Sequence, residues 1–92
     1  MADISISRLA AREFRVQVRE GGRETTHRVT VPERLGERRL ELRDDDLERV
    51  VRESFCFLLE REPATSILPQ FSLSDISRYF PEYPNELVHR LS

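Results

Sequence analysis

Apolar and polar residues alternate strictly between Glu13 and Arg19, with Phe14, Val16 and Val18 set against Arg15, Gln17 and Arg19. A period of two puts the apolar set on one face of a β-strand. After Gly21-Gly22 a second run, TTHRVTV, alternates likewise, with His27, Val29 and Val31 on one side. Two such runs around a glycine pair predict a hairpin over residues 12–20 and 24–32 with one buried face. Two registers keep the apolar residues together, so parity does not choose between them. A two-residue turn sets Arg15 opposite Arg28, a like-charge pair that costs stability. A four-residue loop over 21–24 avoids that pair and sets Phe14 opposite Val31, so charge favours the longer loop. Pro32 cannot continue a central ladder and closes the second strand. Leu40 and Leu42 alternate with Arg39, Glu41 and Arg43, which predicts a third strand at 38–42. Ile4 and Ile6 also alternate, but among Ser and Arg. Residues 1–10 therefore read as either a frayed strand or a disordered N-terminus, ahead of a single α+β domain over 11–92.

At Asp44 the period changes. In DDDLERVVRESFCFLLERE, residues 44–62, Leu47, Val50, Val51, Phe55, Leu58 and Leu59 recur at helical spacing, and only Ser54 interrupts the stripe. The leading acids suit the positive end of a helix dipole. Pro63 stops the helix, because it lacks the next backbone donor and restricts the residue before it. The second half of this helix, Phe55-Cys56-Phe57-Leu58-Leu59, is apolar nearly all round. A helix apolar on all sides is covered on all sides, and a sheet covers only one. Cys56 and Phe57 therefore need a second cover. Either the C-terminal segment supplies it through Ile67, Leu68, Phe71 and Tyr79, or another subunit docks there. The apolar content of residues 63–92 favours the first.

That C-terminal segment carries its own punctuation. Ser72 and Asp75 have capping-box spacing, with Phe71 and Ile76 at the staple positions. A short helix is predicted from Leu73 to Phe80, stopping before Pro81. Pro84 fits the first turn of a last helix ending near Leu91. The expected fold is thus α+β: a small antiparallel β-hairpin or three-stranded sheet packed against one long helix, followed by two short C-terminal helices. Its core should join Phe14, Val16, Val18, Val29 and Val31 to Leu47, Val50, Val51, Phe55, Leu58 and Leu59, with Ile76 and Phe80 added from the C-terminal side.

Composition limits what such a fold can do. At 92 residues, 38% hydrophobic and 35% charged, the chain supports one small core and no deep cleft beside it. No apolar run approaches the roughly 20 residues of a membrane helix. The opening residues lack the basic start and apolar block of a secretory signal. Cys56 stands alone and cannot form an intramolecular disulfide, so a reduced, cytoplasmic protein with no membrane association is the simple expectation. All 15 basic residues are arginine, yet net charge is −2. The charge is uneven: residues 1–43 hold ten Arg against seven Asp or Glu, whereas residues 44–92 hold five against ten. Opposite halves of this kind can orient two copies of a chain.

Candidate chemistry is sparse. Neither His27 nor His89 has metal-ligand spacing to Cys56 or to a carboxylate pair. Cys56 lies mid-helix in an apolar run, where thiols are ordinarily inert packing. Asp44, Asp45 and Asp46 point in different directions on a helix and suit capping better than a metal. No Gly-rich phosphate loop occurs among Gly21, Gly22 and Gly36. The expectation is a non-enzymatic domain without cofactor that acts by protein–protein binding, as a homodimer or a subunit of an assembly. Candidate partner-binding residues are Arg15, Gln17, Arg19 and Arg28 on the hairpin's wet face, and Phe57 on the helix. The alternative is a nucleic-acid-binding accessory factor using that arginine face or the helix-turn-helix-like segment SLSDISRYFPEYPNELVHRL, which would offer Asn85, His89 and Arg90 to a groove. Net charge disfavours it.

Overall fold

Strand structure begins earlier than the hydrophobic pattern suggests. The computed structural model describes residues 2–35, 40–43 and 46–92, Leu40 by its backbone alone. Within it β1 spans Asp3–Ala10, β2 Glu13–Glu20 and β3 Arg23–Thr30, paired antiparallel in that order. The segment expected to be frayed or disordered is thus an edge strand. Ile4 and Ile6 lie opposite Val18 and Val16 and are half-buried against the core. Arg52 donates to the Ile4 carbonyl at 3.2 Å, occupying one acceptor at the sheet's edge.

The β2–β3 register corrects the longer-loop expectation. Gly21 and Gly22 alone form the turn, with φ of 57° and 79°. Both values lie in the left-handed region that a tight two-residue hairpin turn demands and glycine reaches without strain. Phe14 therefore faces Val29 rather than Val31, and Arg15 does face Arg28. Glu13 relieves the like charges by holding Arg28 at 2.9 Å.

The predicted third strand also moves. β4 (Arg34–Leu35) and β5 (Leu40–Glu41) make a separate two-stranded ladder, while residues 38 and 39 lie outside the described residues. Leu35 and Leu42 are buried there and close one end of the core. Arg12 fastens this ladder to the sheet, donating to the carbonyls of Val31, Pro32 and Leu42 at 2.8–2.9 Å.

The long helix, α1, spans Leu47–Leu59. Its expected start at 44 and the acids Asp44 and Asp45 lie outside the described residues; Asp46 makes no side-chain capping bond. The chain leaves the helix at Glu60, before Pro63, as the amides of Arg61 and Glu62 both turn back to the Leu58 carbonyl. α1 then serves as a crossover. After a single 3-10 turn, Ala64–Ser66, the chain returns to the sheet as β6 (Gln70–Ser72), parallel to β3. Parallel neighbours need such a connection. The main sheet is thus mixed and four-stranded, in the order β1-β2-β3-β6, one strand wider than the sequence suggests.

The Ser72 cap forms as expected. Its hydroxyl accepts from the Ser74 amide at 3.3 Å, and the Asp75 carboxylate accepts from the Ser72 amide at 3.0 Å. A 3-10 turn, Leu73–Asp75, leads into α2 (Ile76–Tyr79), and α3 (Tyr83–Leu91) follows with Pro84 in its first turn. The predicted core is buried except for Leu59 and Phe80, which are half-buried against it. Phe57, Ile67, Phe71, Leu73, Tyr83 and Leu87 are buried as well.

Candidate functional site

Phe57 is buried within its own chain. It is 1% exposed, beneath the start of α3, with its ring 5.8 Å from Phe80 and 5.3 Å from Tyr83. The Arg61 guanidinium lies over the same ring at 3.6 Å and donates to the Phe57 carbonyl. Arg90 completes the cover, its Nη2 bonded to both carboxylate oxygens of Glu60 at 2.7 and 2.8 Å. That pairing raises the Arg90 pKa above its ordinary value. The cover is intramolecular, but two of the residues expected in it are exposed. Leu68 and Tyr79 point to solvent, 48% and 68% exposed.

Ser54, which looked like a gap in the stripe, anchors the same cover. Its hydroxyl donates to the Val50 carbonyl at 2.7 Å. Its one proton is then used, so the buried Tyr83 hydroxyl donates to Ser54 Oγ, 2.6 Å away. Burial pushes the Tyr83 pKa well up, and the phenol stays protonated. A serine on an apolar face is the signal that could have located this bond.

Arg15, Gln17, Arg19 and Arg28 are brought together on the outer face of the sheet, all exposed. β1 adds Asp3, Ser5 and Ser7 beside Arg19, Gln17 and Arg15. Acidic residues interrupt the positive charge: Glu24 holds Arg19 at 2.8 Å and Glu13 holds Arg28. The face is a charge-alternating surface rather than a continuous basic stripe. In the C-terminal segment Asn85, Val88 and His89 are exposed, while Arg90 is turned inward to Glu60.

An open groove of about 250 Å³ lies between the end of α1, the 67–71 segment and α2. Leu58, Ile67, Phe71, Ile76 and Phe80 form its apolar floor and walls. Leu68 and Tyr79 stand at its exposed rim, and Glu62 and Asp75 contribute carboxylates. Burial pushes the Glu62 carboxyl above its ordinary pKa. The rim is held from the sheet: His27, 2% exposed, bonds the Leu68 carbonyl through Nδ1 at 2.9 Å, and the Arg28 amide bonds the Pro69 carbonyl at 2.8 Å. In the neutral imidazole Nδ1 carries the proton, since Leu68 offers only an acceptor, and Nε2 accepts from the Thr25 hydroxyl at 2.8 Å. The His27 ring packs on Phe55 at 5.4 Å. Sequence reasoning missed the groove because its walls come from three separate stretches of chain.

With both ring nitrogens engaged, His27 is a brace for the loop. Cys56 is half-buried, and burial together with the Glu53 charge raises its thiol pKa, away from thiolate reactivity. Among the described residues no three His, Cys, Asp or Glu side chains converge as a metal site would require, and no helix is long and apolar enough to cross a membrane. Comparison with protein-family models, curated protein sequences and solved structures finds no match to this chain.

Proposed function

We propose that this protein is a non-enzymatic interaction domain that acts by binding another protein chain, as a homodimer or as a subunit of an assembly. The observation that carries the reading is the groove beside α2. It presents apolar floor and exposed Leu68 and Tyr79 to solvent, in a domain that covers its other large apolar surplus, at Phe57, from within. An apolar patch rimmed by polar groups commonly marks a partner site. Size-exclusion chromatography with light scattering reads self-association directly, and capture with crosslinking from the native host reads a hetero-partner. A strict monomer that crosslinks to no protein would overturn the reading.

A second reading, a nucleic-acid-binding accessory factor, draws on one feature, the side-by-side placement of Arg15 and Arg28 with Gln17 nearby on the outer face. It predicts a salt-dependent shift of mixed DNA or RNA that disappears in Arg15→Glu. The carboxylates of Glu13 and Glu24 on the same face weigh against it.

A further inference from the structure

Building on the protein-binding reading, the geometry points to a specific occupant for the groove beside α2: a basic, apolar peptide segment of another protein. One or two large apolar side chains of that segment sit on the floor, and a Lys or Arg next to them pairs with the Glu62 carboxylate. Size sets the first half of this. A volume of about 250 Å³ exceeds the ~150 Å³ cavity that accepts benzene, so it holds one or two side chains of leucine or phenylalanine size, as a short peptide segment presents them.

Charge sets the second half. The charged side chains lining the groove are both acidic, Glu62 and Asp75. Asp75 is already committed to the Ser72 amide and lies 3.9 Å from Arg78. Glu62 has no side-chain hydrogen bond or ion pair among the described residues, and its neighbour Arg61 is turned away over Phe57. A half-buried carboxylate against Leu58 and Ile67 is incompletely solvated, and an incoming cation relieves that cost while an incoming anion adds to it. The braces from His27 and Arg28 fix the Leu68 rim before any partner arrives, which lowers the ordering cost of binding.

The test pans a phage-displayed library of short random peptides on the immobilised full chain. Selected peptides are then synthesised and titrated by fluorescence anisotropy against wild type, Glu62→Gln, Glu62→Arg and Leu68→Asp. The expected peptides carry Lys or Arg close to Leu, Ile, Phe or Met. Their affinity should fall about tenfold or more with Glu62→Arg and should recover when the peptide's basic residue is changed to Glu. Amide shift mapping on the wild-type protein needs no variant to fold and should place the perturbed residues within 58–80. Three results overturn the inference. Selected peptides that lack a basic residue, bind all variants equally and perturb the hairpin instead would leave a protein-binding domain with a different site. A chain that is dimeric by light scattering and becomes monomeric with Leu68→Asp would put a second copy in the groove. No selected peptide, with a monomer that crosslinks to nothing, would remove the groove and the protein-binding reading together.

Discussion

Two apolar surfaces at the C-terminal half of α1 meet different fates within one helical turn. At Phe57 the chain closes on itself: α3 lays Tyr83 over the ring, the Tyr83 hydroxyl locks to Ser54, and Arg61 and Arg90 seal the edges. At Leu58 and Glu62 the cover is α2, only four residues long and stopped before Pro81, and a groove stays open. A cover pinned by a buried hydrogen bond and a guanidinium–carboxylate pair becomes part of the core. α2 has no side-chain hydrogen bond to α1 among the described residues, although His27 and the Arg28 amide pin the 68–69 loop beside it, and this side leaves a surface. The same apolar surplus thus yields both a structural seal and a candidate site, and only the seal is anchored to α1 and its C-cap residue.

Breaking the closed side should cost most. Phe57→Ala removes a fully buried ring and the seat of two guanidinium groups, and should destabilise by about 3–5 kcal/mol in urea unfolding. A cost under ~1 kcal/mol would mean the ring is not under α3. Ser54→Ala comes next, at about 1–3 kcal/mol, because it strands the buried Tyr83 hydroxyl without an acceptor. Adding Tyr83→Phe should then recover part of the loss, since the stranded group is gone. Purely additive costs in that cycle would show the two residues are not bonded.

Smaller effects sharpen the open side. Ser72→Ala frees a helix-end amide on the segment that walls the groove and should lose about 1 kcal/mol. Amide exchange at Ser74 should quicken accordingly, and an unchanged rate would show that the cap is absent. Glu62→Gln should have the smallest effect, and its sign depends on pH. Burial raises the folded-state pKa of Glu62, so the folded chain holds this proton more tightly than the unfolded one. Stability therefore falls as pH rises from the ordinary carboxylate range through the raised folded value. Above that window the glutamine variant should be the more stable by about 0.5 kcal/mol or less, because solvent screens a half-exposed group. Below it the two should melt alike.

What the sequence revealed follows the same division. Elements with long, regular periods were legible: β2, β3, the α1 stripe and the Ser72 cap all came from local pattern. The need for a second cover on Phe57 was legible too, as an apolar surplus. β6 was not, because Gln70–Ser72 offers one apolar residue and its parallel pairing with β3 joins Arg28 to Gln70, 42 residues further on. The register differs for another reason: Glu13, a diagonal neighbour, holds Arg28 and offsets the Arg15–Arg28 repulsion that disfavours the tight turn. The groove was invisible because it is a product of tertiary assembly. Its one local trace is the pair Leu68 and Tyr79, expected over Phe57 and found lining an opening.

Thermal unfolding of Phe57→Asp beside Leu68→Asp tests the contrast most directly, since both place a carboxylate on an apolar residue of the same region. With Phe57 sealed and Leu68 at an open rim, Phe57→Asp should fail to fold or lose at least ~15 °C of midpoint, while Leu68→Asp should stay within about 3 °C of wild type. Equal losses, or a Phe57→Asp chain that melts like wild type while Leu68→Asp collapses, would contradict the assignment of closed and open sides.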